Sequence, residues 1–167
     1  MNKHILEKTQ IVAGIIPVDT QSGANNGDWV SLKGYGRCAV VFYKAAGVAG
    51  DDPVFTLRQA QDVSGTGAKA LDFTRIDTKV GAQTGIGQFT TNTQAAANTY
   101  TDAASAEAQA IMVVDIKAED LDVDGGFDCV QLQIPDTGSA GAQLGCALYL
   151  LHEPRYGTIP LPSAIAD

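Results

Sequence analysis

The chain reads as all-β, an antiparallel β-sandwich or jelly-roll-like domain with extended N- and C-terminal arms. Three observations predict this. Short apolar runs recur at intervals of roughly 8 to 20 residues, the rhythm of strands in a sandwich or small barrel. Stretches rich in Gly, Asn, Thr and Ser separate them and favour turns. No stretch carries helical periodicity for longer than a turn or two.

The elements follow in order. Residues 1–10 are expected to form an N-terminal arm, 11–153 the sandwich and 154–167 a C-terminal arm. Ile11–Val18 is the first strand, ending at or just after Pro17; it is too short to span a membrane and lacks the layout of a signal peptide. The turn-former cluster 19–28 leads through Trp29–Leu32 to Arg37–Lys44. There Cys38, Val40 and Phe42 alternate with Ala39, Val41 and Tyr43, and because both sets are apolar the strand is expected to be buried on both sides. Val54–Ala60 alternates Phe55 and Leu57 with Thr56 and Arg58, as a half-exposed strand does. A shorter strand or pair of strands is expected at 71–76 and 78–80, and strands around Gly87–Thr91 and around Thr99–Asp102, these two joined by an extended loop. A helical turn is expected at Ala103–Ala108, a strand at Ile111–Ile116 and a turn or 3₁₀ segment at Lys117–Leu121. Phe127–Ile134 points Val130, Leu132 and Ile134 inward, with Gln131 and Gln133 outward, and Leu144–His152 is the last core strand. Beyond it Pro154, Pro160 and Pro162 prevent regular pairing, so the tail is read as extended.

Composition excludes several classes of function. The 167 residues can bury a core without staples, and 45% hydrophobic content argues against disorder. Charged residues are only 18%, so much of the surface is neutral and suits contact with neighbours. The net charge is −8 and the eleven Lys and Arg residues are scattered, which speaks against nucleic-acid binding and against docking on an anionic membrane. Cys38, Cys129 and Cys146 sit in apolar runs without metal-ligand spacing and read as small buried hydrophobes.

Few residues could carry chemistry. Asp120, Asp122 and Asp124, with Gly125, match the first half of a calcium loop, in which alternate carboxylates converge on a hard cation. The twelfth position is Gln131, so the bidentate Glu is missing, and an acidic turn feeding a hairpin strand is the stronger reading. His4 and His152 are far apart, and no nucleophile elbow is present. Ser64–Gly67 and the glycines of 81–87 match no phosphate-binding pattern and read as turns. Trp29, Tyr35, Phe42 and Tyr43 could form a carbohydrate platform, though core packing explains them as well. No cofactor and no enzymatic activity are expected.

Several segments carry a resemblance. GDWVSLK (27–33), QDVSGTGAKAL (61–71), LDVDGGFDCV (121–130), and the tail pieces PRY (154–156) and PSAI (162–165) together resemble a family of small structural proteins of tailed double-stranded DNA bacteriophages, from about Ile11 to the C-terminus. The resemblance implies a virion component made in the host cytoplasm, foremost a capsid decoration or cement protein on the outer shell. Its implied partners are the major capsid protein and neighbouring copies of itself, as a dimer or trimer. It offers no catalytic residue. On that reading the tail could add a strand to a neighbour's sheet, with Ile159, Leu161 and Ile165 as partner-binding anchors. The alternatives are another virion role, such as a head–tail connector, tail or fibre-base protein, and a calcium- or carbohydrate-binding β-sandwich module.

Overall fold

Two antiparallel sheets face each other across one apolar core in the computed structural model, which describes residues 4–101, 107–138, 141–157 and 160–165. The elements in chain order are β1 (Thr9–Asp19), β2 (Asn25–Asn26), β3 (Val30–Ser31), β4 (Tyr35–Lys44), β5 (Val54–Ala60), β6 (Lys69–Ala70), β7 (Phe73–Val80), the single turn α1 (Gln83–Ile86), β8 (Thr90–Ala97), β9 (Thr99–Thr101), β10 (Ala110–Lys117), β11 (Cys129–Ile134) and β12 (Leu144–Pro154). Ile5–Glu7 and Ala118–Asp120 are 3₁₀ turns. The first sheet has the order β1-β12-β4-β10-β7-β8 and the second β2-β11-β5-β6, with β3 also on β11 and β9 on β5. The expected antiparallel β-sandwich is what the chain forms.

Alternation decides which side chains enter the core. Cys38, Val40 and Phe42 of β4, Met112, Val114 and Ile116 of β10, and Ala147, Tyr149 and Leu151 of β12 point inward from the first sheet. Phe55 and Leu57 of β5 with Val130, Leu132 and Ile134 of β11 oppose them from the second. Each large apolar side chain removed from water here contributes about 1.5–3 kcal/mol before entropy is counted. Phe55 meets Phe73 of the other sheet edge-to-face, with centroids 6.0 Å apart and planes at 76°.

A core side chain helps tie the sheets by a hydrogen bond. Tyr149 reaches from β12 to the second sheet, where its Oη accepts the Leu132 N–H at 2.8 Å. Leu132 lies between the stretches of β11 that pair with β3 and with β2, so its N–H has no strand partner on that side. The long ring needs room along its path. A Cβ at Gly14 would lie 2.6 Å from the Tyr149 ring, and one at Gly27 would lie 2.7 Å from its hydroxyl. Glycine at both positions gives the tyrosine its passage.

Several expectations need correction. β4 is buried on one side only: Cys38, Val40 and Phe42 are inaccessible, while Ala39 and Val41 are half-buried and Tyr43 is exposed. No layer covers that side of the first sheet among the described residues. The first strand begins at Thr9 and runs through Pro17 to Asp19, so Thr9 and Gln10, placed in the N-terminal arm, pair with His152 and Leu151. Pro17 is tolerated because β1 is an edge strand and its register slips between Ile15 and Val18. Instead of a loop after Thr91, β8 continues to Ala97, and the segment before it contains α1. Gln94 allows this: its Nε2 reaches the carbonyls of Phe73 and Thr99 where the β7–β8 register slips. The helical turn expected at 103–108 falls mostly outside the described residues.

The tail folds back on its own domain. β12 extends to Pro154, which pairs with Tyr35, and Arg155 donates its backbone N–H to the Gly34 carbonyl. Further on, the Tyr35 hydroxyl donates to the Pro162 carbonyl at 2.6 Å, the Ser31 N–H donates to the Ala164 carbonyl at 2.6 Å, and Ala164 is buried. The described end of the chain is therefore a strap over β3 rather than an arm reaching outward.

Candidate functional site

The outer face of the first sheet is apolar across adjacent strands. Register builds it row by row. Ala13, Leu148, Val41 and Val113 lie side by side across β1, β12, β4 and β10. One row along are Ile11, Leu150 and Ala39, with Asp115 of β10 at the end of the row, and one row the other way are Cys146, Tyr43 and Ile111. Ile16 and Leu144 continue the field toward the loop end. Apart from Asp115 none of these side chains carries a charge, and five large ones are open to solvent: Ile16 72%, Leu144 59%, Tyr43 46%, Ile11 45% and Leu148 41% exposed. Pro17, Tyr43, Leu144 and Cys146 help line a shallow hollow of about 220 Å³ in this field.

Among the described residues, several charges at the rim of this field have partners within the chain. Arg37 forms a two-pronged ion pair with Asp115. The Nε2 of His152 lies 3.6 Å from the same carboxylate. Lys117 pairs with Glu119 at 3.3 Å. Arg75 pairs with Asp77 at 3.0 Å. Burial pushes the Asp77 carboxyl upward, but hydrogen bonds from Arg75 and Thr91 outweigh it and hold it below the ordinary carboxylate range. Lys79 sits 4.8 Å over the ring of Phe89. The second sheet presents Thr56, Arg58 and Gln133 outward instead, and its Gln131 is covered by the loop at Gly27.

The residues singled out from sequence fall in separate places. Asp120 accepts the Lys117 N–H and closes the 3₁₀ turn. Asp122 pairs with Lys69 and accepts the Gly125 N–H; the bond from Lys69 holds its carboxyl below the usual range. Asp124 is exposed. Two of the three carboxylates thus serve the turn that leads into β11. Among the described residues no group of three His, Cys, Asp or Glu side chains converges as a metal ion requires. Of the tail anchors, Leu161 packs against the chain's own core, Ile165 is exposed, and Ile159 lies outside the described residues.

The remaining candidates are also dispersed. His4 is exposed at the far end of the chain from His152 in sequence, and His152 faces Asp115 rather than a nucleophile. In the 64–67 turn, Asp62 accepts the N–H groups of Ser64 and Thr66 while Gly65 and Gly67 take positive φ. Tyr35 and Phe42 are in the core, Tyr43 is on the outer face, and Trp29 stacks near the Gly65 turn, so the four rings form no single platform. Cys38 and Cys129 are buried, and burial pushes the Cys38 thiol far up; Cys146 is partly exposed on the apolar field.

Sequence reasoning missed the apolar face although the signal was present. The outward set of β4, Ala39, Val41 and Tyr43, and that of β12, Cys146, Leu148 and Leu150, are apolar in adjacent strands. Apolar residues on both faces of a strand fit burial within the chain and contact with another molecule equally well. No family model, curated protein or solved structure matches the chain.

Proposed function

We propose that this chain is a bacteriophage virion structural protein, a capsid decoration or cement protein that binds the outer capsid surface and stabilises the head by bridging capsomers. The observation that carries the reading is the apolar outer face of the first sheet, with five large apolar side chains more than 40% exposed. Monomeric proteins seldom leave so continuous an apolar field in water, and such fields mark contact with other subunits. The resemblance of the segments at 27–33, 61–71 and 121–130 to phage structural proteins supplies the particle. The jelly-roll-like winding belongs to the same reading.

The mechanism is contact rather than turnover. A rigid sandwich seated between neighbouring capsomers adds its own interface to theirs, so separating them requires breaking both. Many copies act together, and the multivalent sum exceeds what each single contact supplies. Quantitative mass spectrometry of purified particles tests the proposal. A decoration protein is expected in hundreds of copies, released at lower denaturant than the shell. A ring-sized handful of copies indicates a connector or tail component, and absence from particles overturns the reading.

A further inference from the structure

We propose that the apolar face of the first sheet is closed by the same face of a second copy, stacked across a two-fold axis. The inference takes its face from the assembly reading above and adds the occupant.

Shape, area and charge favour a second copy. A pleated sheet face is matched by another sheet face, and stacked sheets pack about 10 Å apart with their side chains interleaved. The field runs about seven residues along β12, from Leu144 to Leu150, and less along β10, where Asp115 follows Ile111 and Val113 on the outward side, so it covers at most roughly 19 by 23 Å at the usual strand spacing and rise. Two such faces and their rims remove on the order of 1,000 Å² from water, the threshold of a specific interface. A partner of opposite charge would be expected to meet free charges at the rim. Here Arg37, Lys117 and Arg75 are each paired with a carboxylate of their own chain, and Lys79 lies over Phe89. Two chains of net charge −8 therefore bring to this side charges mostly paired within their own chain, with Lys79, held over a ring and not beside a carboxylate, as the exception. An isologous contact also needs a self-complementary patch. The Leu148–Val41–Val113 row, near the middle of the field, supplies apolar side chains to both partners alike.

Sedimentation of the full-length protein over a concentration series tests the proposal, with thiol labelling as a second readout. The expected species has twice the 17.4 kDa mass of the chain. Leu148→Arg and Tyr43→Arg are expected to convert it to monomer, because each places like charges against one another at the contact. Circular dichroism and thermal melting establish that the variants are folded. Val123→Arg, equally apolar and exposed but on the 121–126 turn, is expected to leave the dimer intact. Cys146 lies in the field, whereas Cys38 and Cys129 are buried. Its labelling by a maleimide is therefore expected to be several-fold slower in the dimer than in the Tyr43→Arg monomer. A chain monomeric at high micromolar concentration, a trimer, or a dimer that survives both substitutions in folded protein overturns the inference. A dimer in solution with no copies on particles leaves the inference standing and removes the capsid reading instead.

Discussion

Tyr149 shows how one side chain can specify the relation between two sheets. Its ring runs through the core and its hydroxyl fills the one place on the β11 edge where neither β2 nor β3 reaches. Tyr149→Phe is expected to leave the Leu132 N–H buried without a partner, at a cost of about 1–3 kcal/mol. Gly14→Ala pushes a methyl into the same ring and is expected to cost about 1–3 kcal/mol by overpacking. Chemical denaturation of both variants checks this, and a Tyr149→Phe protein as stable as the parent removes the bridge from the account. Carboxylates act on the same scale. Asp62 is held below its ordinary range chiefly by the Thr66 hydroxyl, Asp122 by Lys69, and Asp77 by Arg75 and Thr91 against the effect of burial. Carboxyls with lowered native values stabilise the fold above their unfolded value near 3.9, and that contribution is lost as pH falls through the native values. Melting temperature is therefore expected to drop below about pH 4. Asp122→Asn is expected to lower it at pH 6 and to converge with the parent in acid. Equal melting at pH 6 contradicts the assignment.

Among the elements, the C-terminal strap and the edge strands answer different needs. The strap covers β3 through Ser31, Tyr35 and the buried Ala164. Ending the chain after Gly157 is expected to destabilise the domain by about 1–3 kcal/mol through the exposed core and the freed Ser31 N–H. Unchanged stability on denaturation shows instead that the strap is incidental. The sequence made the strands legible where alternation and turn formers agreed, as in β5, β10, β11 and β12. It misled at β8, where Thr90–Ala97 lacks strong apolar alternation and is held in part by Gln94 side-chain bonds that no local pattern announces. The tail misled for a related reason. Its prolines correctly exclude ladder pairing along their length, but docking through single carbonyls at Pro162 and Ala164 is a tertiary choice. At β4 apolar residues on both faces point to burial on both sides, yet among the described residues only one side is covered.

At the scale of the whole molecule, charge and topology set behaviour in solution. With a net charge of −8 and an isoelectric point near 4.5, copies carry like charge and repel at neutral pH. Lowering pH toward 4.5 is expected to bring a solubility minimum with precipitation, measured by turbidity across pH. A flat turbidity profile shows that charge is not what holds copies apart. The pairing of β1 with β12 has a further consequence, because it joins the earliest strand of the domain to the latest over eight register positions. During translation the first strand leaves the ribosome with no neighbour to bind. It must wait, its isoleucines in water, until Leu144–Pro154 has been synthesised. The β1–β12 pairing joins segments far apart along the chain, and loop-closure entropy is expected to make its formation slow.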